Sequence, residues 1–243
     1  GTSTLDAYSN GGYNTGIGFA TLQANTTGWS NTAIGTQSLY SNTTGRYNTA
    51  IGDSALFKNT TGFYNSANGF NSLYSNTTGS ENTANGDESL YSNTTGSKNN
   101  ANGRYALYFN TTGSNNNAFG NSALLSNNTG SNNVAIGYDS LYTNQTGSSL
   151  SAIGWNSLYN TTGASSTALG SWAGQTNTSD NNNLSLGDEA DALAGTYSNS
   201  AAIGSHAKVG ASNSIVLGGT GSWASNVAIG TSTPWAKLSI QNT

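Results

Sequence analysis

The sequence predicts an all-β fold, a parallel β-solenoid (β-roll) of 17-residue coils ending in 14- and 12-residue coils, on three observations. The pentapeptide Asn-Thr-Ala-Ile-Gly at 31–35 returns at 48–52 and then in degenerate form along the chain. Its final glycine marks a period of 17 through Gly18, Gly35, Gly52, Gly69, Gly86, Gly103, Gly120, Gly137 and Gly154, continues at 16, 17 and 17 through Gly170, Gly187 and Gly204, and closes up to 14 and 12 at Gly218 and Gly230. The composition, 32 Gly and 37 Asn with one Pro, is poor in helix formers, and 17 residues is too short for a helix-pair repeat.

Each coil reads as three pieces. The first is a short strand ending on the anchor glycine, with Ala at its centre (Ala33, Ala50, Ala67, Ala84) and Ile or Asn beside the glycine (Ile17, Ile34, Ile51, then Asn68, Asn85, Asn102, then Phe119, Ile136, Ile153). The second is a short apolar piece, typified by Ser38-Leu39-Tyr40, whose ladders run from Leu22 to Leu158 and from Tyr40 to Tyr159. The third is an Asn-Thr-Thr-Gly turn, with Gly expected to supply positive φ. Stacked at about 4.8 Å, 13 to 14 coils make a rod of about 60–65 Å.

Adjacent strand positions face opposite sides, so both strand pieces carry apolar side chains on both faces. One face fills the coil, and the other predicts lateral self-association, because a bare stripe of this length exceeds the apolar patch of a normal monomer. The assembly candidates are Tyr40, Tyr74, Tyr91, Tyr108, Tyr142 and Tyr159. Trp235, Leu238 and Ile240 are candidates for end-to-end stacking, with residues 231–243 engaging the start of the next subunit.

The chain divides into regular coils over 1–170, degenerate coils over 171–198, two shorter coils over 199–230, and a strand-like assembly segment over 231–243. The shorter coils, Asn199-Ser-Ala-Ala-Ile-Gly204 and Asn213-Ser-Ile-Val-Leu-Gly218, resemble the repeats of the YadA-like head of trimeric autotransporter adhesins. That resemblance implies a left-handed parallel β-roll assembled as a trimer on a bacterial surface. Val227 to Ile240 resembles a segment of phage tail-fibre-like and environmental surface proteins.

Charge narrows the function. Six basic and ten acidic residues, net −4, leave no footprint for nucleic acid. There is no Cys, hence no disulfide framework or thiol chemistry, and no apolar run long enough for a membrane helix, so membrane insertion is not expected. No catalytic residue, cofactor or metal is assigned. The lone His206 sits in an ordinary turn, and Asp188, Glu189 and Asp191 read as an exposed acidic turn before they read as a calcium seat. Asp87 and Glu88 are explained by stacking, with Arg104 one coil above Asp87 and Lys98 one coil above Glu81 as inter-coil ion pairs. Asn14, Asn31, Asn48, Asn65, Asn82, Asn99, Asn116 and Asn133 form a ladder of amides bonded along the rod. Asn68, Asn85 and Asn102 are expected to be a hydrated ladder, and the turn threonines lack the regular ladder that ice binding needs.

Asn25, Asn42, Asn59, Asn76, Asn93, Asn110, Asn127, Asn144, Asn160 and Asn177 each head an Asn-x-Ser/Thr triplet. They are glycosylation candidates in one longitudinal row. The expected function is that of an extracellular or cell-surface structural protein, a glycosylated rod that self-associates into a fibre or filament. A trimeric adhesin head or phage tail-fibre shaft that binds a host surface or matrix is the alternative. A polysaccharide lyase is disfavoured by the lack of clustered acids and bases.

Overall fold

The computed structural model describes residues 11–176, 178–179, 181–193 and 197–219, and the strands Val227–Ile229 and Leu238–Ile240. Its spine is a 13-stranded parallel sheet of three-residue strands. Eleven of them run in sequence order from β1 (Thr15–Ile17), β2 (Thr32–Ile34) and β3 (Thr49–Ile51) to β10 (Thr167–Leu169) and β11 (Leu184–Leu186). They are followed by β13 (Ala201–Ile203) and β15 (Ile215–Leu217). Equivalent residues pair throughout: Ala33 opposes Ala50, and the shorter coils keep the register, with Leu169 opposite Ile153 and Leu217 opposite Ile203. No helix occurs among the described residues.

The central residue of each strand, alanine in ten of the thirteen, is buried, save the half-buried Val216 of β15, and its neighbours face outward, as the twofold strand period requires. The anchor glycines from Gly18 to Gly204 take φ between 120° and 142°, a region closed to side chains, and a Cβ on Gly86 would lie 2.7 Å from the carbonyl of Gly103. Glycine is therefore required here twice, by conformation and by the approach of the next coil.

The second apolar piece corrects the sequence reading, because in the regular coils it is a turn and not a strand. The leucines from Leu22 to Leu158 sit at φ between 49° and 54°, left-handed, and are wholly buried. That conformation costs a non-glycine residue about 1–2 kcal/mol. Full burial of a leucine side chain returns about 1.5–3 kcal/mol, and the backbone still bonds coil to coil, Leu39 N donating to Ala55 O at 3.0 Å. A row of Ser and Ala precedes the leucines, buried as well, and Ser72 Oγ donates to the anchor carbonyl of Gly69 at 3.0 Å.

The rest of the coil interior is amide. Asn48 takes the Oδ1 of Asn31 on both its backbone N (3.0 Å) and Nδ2 (3.1 Å), and Nδ2 also donates to Gly62 O at 2.9 Å. This is the predicted ladder. A second ladder runs beside it: Asn59 Nδ2 donates to Asn42 Oδ1 at 2.8 Å and to the same Gly62 O at 3.1 Å. The turn glycine carbonyl thus accepts two buried amides, one from each ladder, using both its lone pairs. The turn glycines do not adopt positive φ; they are needed because a Cβ on Gly62 would strike the carbonyl of Gly79 and the amides of Asn59 and Asn76.

The coil closes differently after residue 170. Where leucine stood, the next coils carry Gly174, Asp191 and Lys208, and a second parallel ladder forms between β12 (Asp191–Ala192) and β14 (Lys208–Val209). Gly174 keeps the left-handed conformation, at φ 67°, whereas extended backbone replaces it at Asp191 and Lys208, and the positions that follow these two turn inward. Ala192 and Val209 are buried with Ala190, Ala202 and Ala207 in a separate small core. The strands β16 (Val227–Ile229) and β17 (Leu238–Ile240) pair in parallel as a separate sheet, which gives the expected strand-like tail a partner inside its own chain.

Candidate functional site

Three surfaces bear on function. The first is the outward row of the sheet: Ile17, Ile34, Ile51, Ile136, Ile153, Leu169, Leu186 and Leu217 are all exposed, Ile17 at 57%. Asn68, Asn85 and Asn102 interrupt it, Asn68 exposed and the other two half-buried. The alanines of the same strands are sealed inside and are not available for contact.

The second is an aromatic stack. Tyr40, Phe57, Tyr74, Tyr91 and Tyr108 lie parallel with centroids 5.0–5.2 Å apart, and Tyr142 and Tyr159 continue it at 5.0 Å after a gap at Leu125. All are half-buried, with ring faces given to one another. Burial raises the phenol pKa of Tyr108, Glu88 adding to it, and burial with Tyr142 does the same for Tyr159. A further aromatic row escaped the sequence reading: Trp29, Tyr47 and Tyr64 are exposed neighbours on another side of the coil, Tyr47 and Tyr64 stacked at 4.7 Å. The recurrence of Tyr47 and Tyr64 at 17 residues was the available signal, and Trp29 stands one place off their row.

The third is the junction after the regular coils. An open cavity of about 410 Å³ is lined by Trp172, Gln175, Thr176, Glu189, Asp191 and Lys208. The acidic turn is split by the fold. Asp188 and Glu189 are exposed, and His206 Nε2 stands 3.4 Å from Glu189 Oε2, one coil away. Ligand atoms of these three residues lie within 4.8 Å of one another, close enough to be brought around one cation. Asp191 is instead buried: Thr176 N donates to its Oδ2 at 2.9 Å and Ala192 N to its Oδ1 at 2.8 Å. Burial raises its pKa, against these bonds and Lys208. His206 is thus part of a charged cluster, not an isolated turn residue.

Two further expectations are corrected. Neither Asp87 with Arg104 nor Glu81 with Lys98 forms an ion pair: Arg104 donates to the Tyr105 hydroxyl at 2.7 Å and lies over that ring, and Asp87 Oδ1 accepts from Phe70 N at 3.3 Å. Exposed charges gain too little from pairing to impose that geometry.

The glycosylation row is the larger correction. Asn25, Asn42, Asn59, Asn76, Asn93, Asn110, Asn127 and Asn144 are wholly buried, their Nδ2 atoms, the atoms a glycan would occupy, engaged in the second amide ladder. The triplet recurs because the coil interior needs the amide. Asn160 is half-buried, and in its 16-residue coil Thr161 fills the interior place. Asn177 and Trp235 lie outside the described residues, and of Leu238 and Ile240 only the strand is described. In the turns, Thr43 Oγ1 donates to Thr60 O at 3.0 Å, and its equivalents repeat that bond, so this hydroxyl row serves the backbone.

No protein-family model matches the chain, and no curated protein or solved structure matches it.

Proposed function

We propose that the chain is an extracellular structural protein, a β-solenoid rod that associates laterally with its own copies in a surface fibre or filament. The observation that carries this reading is the exposed Ile/Leu row on the outward face of the long sheet. Thirteen rungs at about 4.8 Å and three-residue strands about 10 Å wide make a strip of about 600 Å². Pairing two such strips buries about 1,200 Å², the lower bound of a stable interface. The sheet row is favoured over the tyrosines as the contact, since the tyrosine faces are already spent on each other. A satisfied amide interior, indifferent to pH and redox state, suits an exposed fibre. The trimeric adhesin head remains the second reading. It is supported by the 14-residue step from Ala201 to Ile215, which keeps sheet register as the YadA-like resemblance implies.

Light scattering of the purified chain tests the reading. A mass at or above twice 24.7 kDa is expected, reduced to that of the monomer by Ile136→Glu with Ile153→Glu. A monomer at micromolar concentration overturns it, and micrographs separate long fibres from short heads.

A further inference from the structure

The aromatic stack has one missing rung. Leu125 stands where six other coils place tyrosine, and the opening above it is a cavity of about 460 Å³ lined by Tyr108, Leu125, Tyr142, Tyr105, Phe109, Glu88 and Ser122. Its walls are rings set at right angles. Tyr105 meets Tyr108 at 80° with centroids 5.7 Å apart, and Phe109 meets Tyr108 at 82° and 4.7 Å. Tyr142, whose other neighbour is Tyr159 at 5.0 Å, closes the far end. Two rungs of the solenoid separate Tyr108 from Tyr142, about 10 Å. An occupant midway is then about 5 Å from each ring, inside the reach of about 6 Å over which an aromatic face attracts a cation.

Three further observations choose the occupant. Glu88 puts a carboxylate at the rim, where it also raises the Tyr108 phenol pKa. The chain carries net charge −4. The same stack already holds an ammonium of its own: Lys58 Nζ lies 5.2 Å from the ring centroid of Tyr74. Phe109 occupies in its coil the place that Lys58 occupies in an earlier one, so here the aromatic wall is present and the internal cation is not. Arg104 is the nearby opposing charge; it lies 4.4 Å from the Tyr105 centroid and is exposed to solvent.

We propose that the gap at Leu125 is a binding site for a small quaternary ammonium ion, held between Tyr108 and Tyr142 by cation–π attraction and by the Glu88 carboxylate. An ammonium without an adjacent anion is specified, because a phosphate on the same ligand would meet Glu88. The inference goes beyond the structural role and does not depend on the sheet-face contact.

The test titrates the full chain with tetramethylammonium, choline, phosphocholine and 3,3-dimethylbutan-1-ol, the uncharged isostere of choline, at constant ionic strength, with ring-proton shifts in NMR as readout. The two free ammonium ions are expected to bind about two- to fivefold more tightly than the alcohol, the lower range of cation–π gains, and phosphocholine more weakly than choline. Leu125→Tyr restores the rung and should abolish binding; it keeps the fold, since tyrosine is native at six equivalent places, and an unchanged melting curve confirms that. Glu88→Gln should weaken binding severalfold, and Arg104→Gln should strengthen it. Equal binding of choline and the alcohol, no binding of either, or binding that survives Leu125→Tyr would overturn the proposal.

Discussion

The regular coils over 11–170 and the later coils over 171–219 share one sheet and one anchor glycine, yet close the coil by different means. In the first region a left-handed leucine turns inward, backed by two amide ladders and a Ser/Ala row. In the second a strand pair, β12 with β14, carries Ala192 and Val209 into a core of small residues. The sheet fixes the coil spacing in both, so the closing segment is free to vary. The change from leucine to Asp191 and Lys208 brings the following residues, Ala192 and Val209, inward, and Asp191 and Lys208 line the charged cavity at the junction.

The largest effect is expected at the element both regions share. Gly86→Ala places a Cβ 2.7 Å from Gly103 backbone at φ 134°, whereas at Gly204, with φ 120°, the nearest atom is Gly218 Cα at 3.0 Å. We expect Gly86→Ala to cost about 3 kcal/mol or more and Gly204→Ala measurably less, read from urea unfolding. Equal costs would mean that φ alone, and not the tighter packing of the regular coils, sets the penalty.

Next comes the closing residue. Leu90→Ala should cost about 2–5 kcal/mol, and Val209→Ala about 1.6 kcal/mol from two methylene equivalents. If the two losses were alike, the leucine turn would be no better packed than the strand pair that replaces it.

The amide interior is the third contrast. Asn76→Ala removes the Nδ2 that donates to Asn59 Oδ1 at 2.9 Å and to Gly79 O at 2.9 Å, and takes from Asn93 Nδ2 one of its two acceptors, leaving it Gly96 O alone, so about 1–3 kcal/mol should be lost. Peptide mapping of native material should find Asn42, Asn59, Asn76, Asn93 and Asn110 unmodified. A glycan on any of them would require that coil to open.

How much of this was legible follows from where side-chain pattern and backbone conformation agree. The parallel sheet, its register and the ladder from Asn14 to Asn133 were readable because like residues recur at one offset, and stacking like on like is what a solenoid does. The leucine turn was not. Leu and Tyr face in and out by turns in either conformation, and nothing in Ser-Leu-Tyr announces a left-handed leucine, since propensity argues against it. The asparagines of the triplets misled for a related reason: a polar residue beside threonines reads as surface, and only the carbonyl of the turn glycine, shared by two ladders, explains a buried amide. The cavities were invisible because each is lined from several coils, and the gap at Leu125 gains meaning only when its neighbours are seen to be stacked.

The smallest effect expected belongs to Asp191 alone. Burial raises its folded-state pKa above the 3.8 of an ordinary aspartate, although Thr176 N, Ala192 N and Lys208 favour the charged form. The folded coil therefore binds this proton more tightly than the unfolded chain does, and the stability so conferred is complete below pH 3.8 and lost as pH rises through the raised folded value. Hydrogen exchange at the Leu193 amide, which donates to Val209 O at 2.8 Å, should show more protection at pH 3.5 than at pH 6 once intrinsic rates are removed. The Leu39 amide, bonded to Ala55 O in a regular coil, serves as the reference. A Glu189→Gln background removes the neighbouring carboxylate paired with His206, and Asp191→Asn should then abolish the remaining dependence. Protection that instead falls on acidification in that background would show that Lys208 and the two backbone donors outweigh burial, and that the second region is closed by charge as much as by its small core.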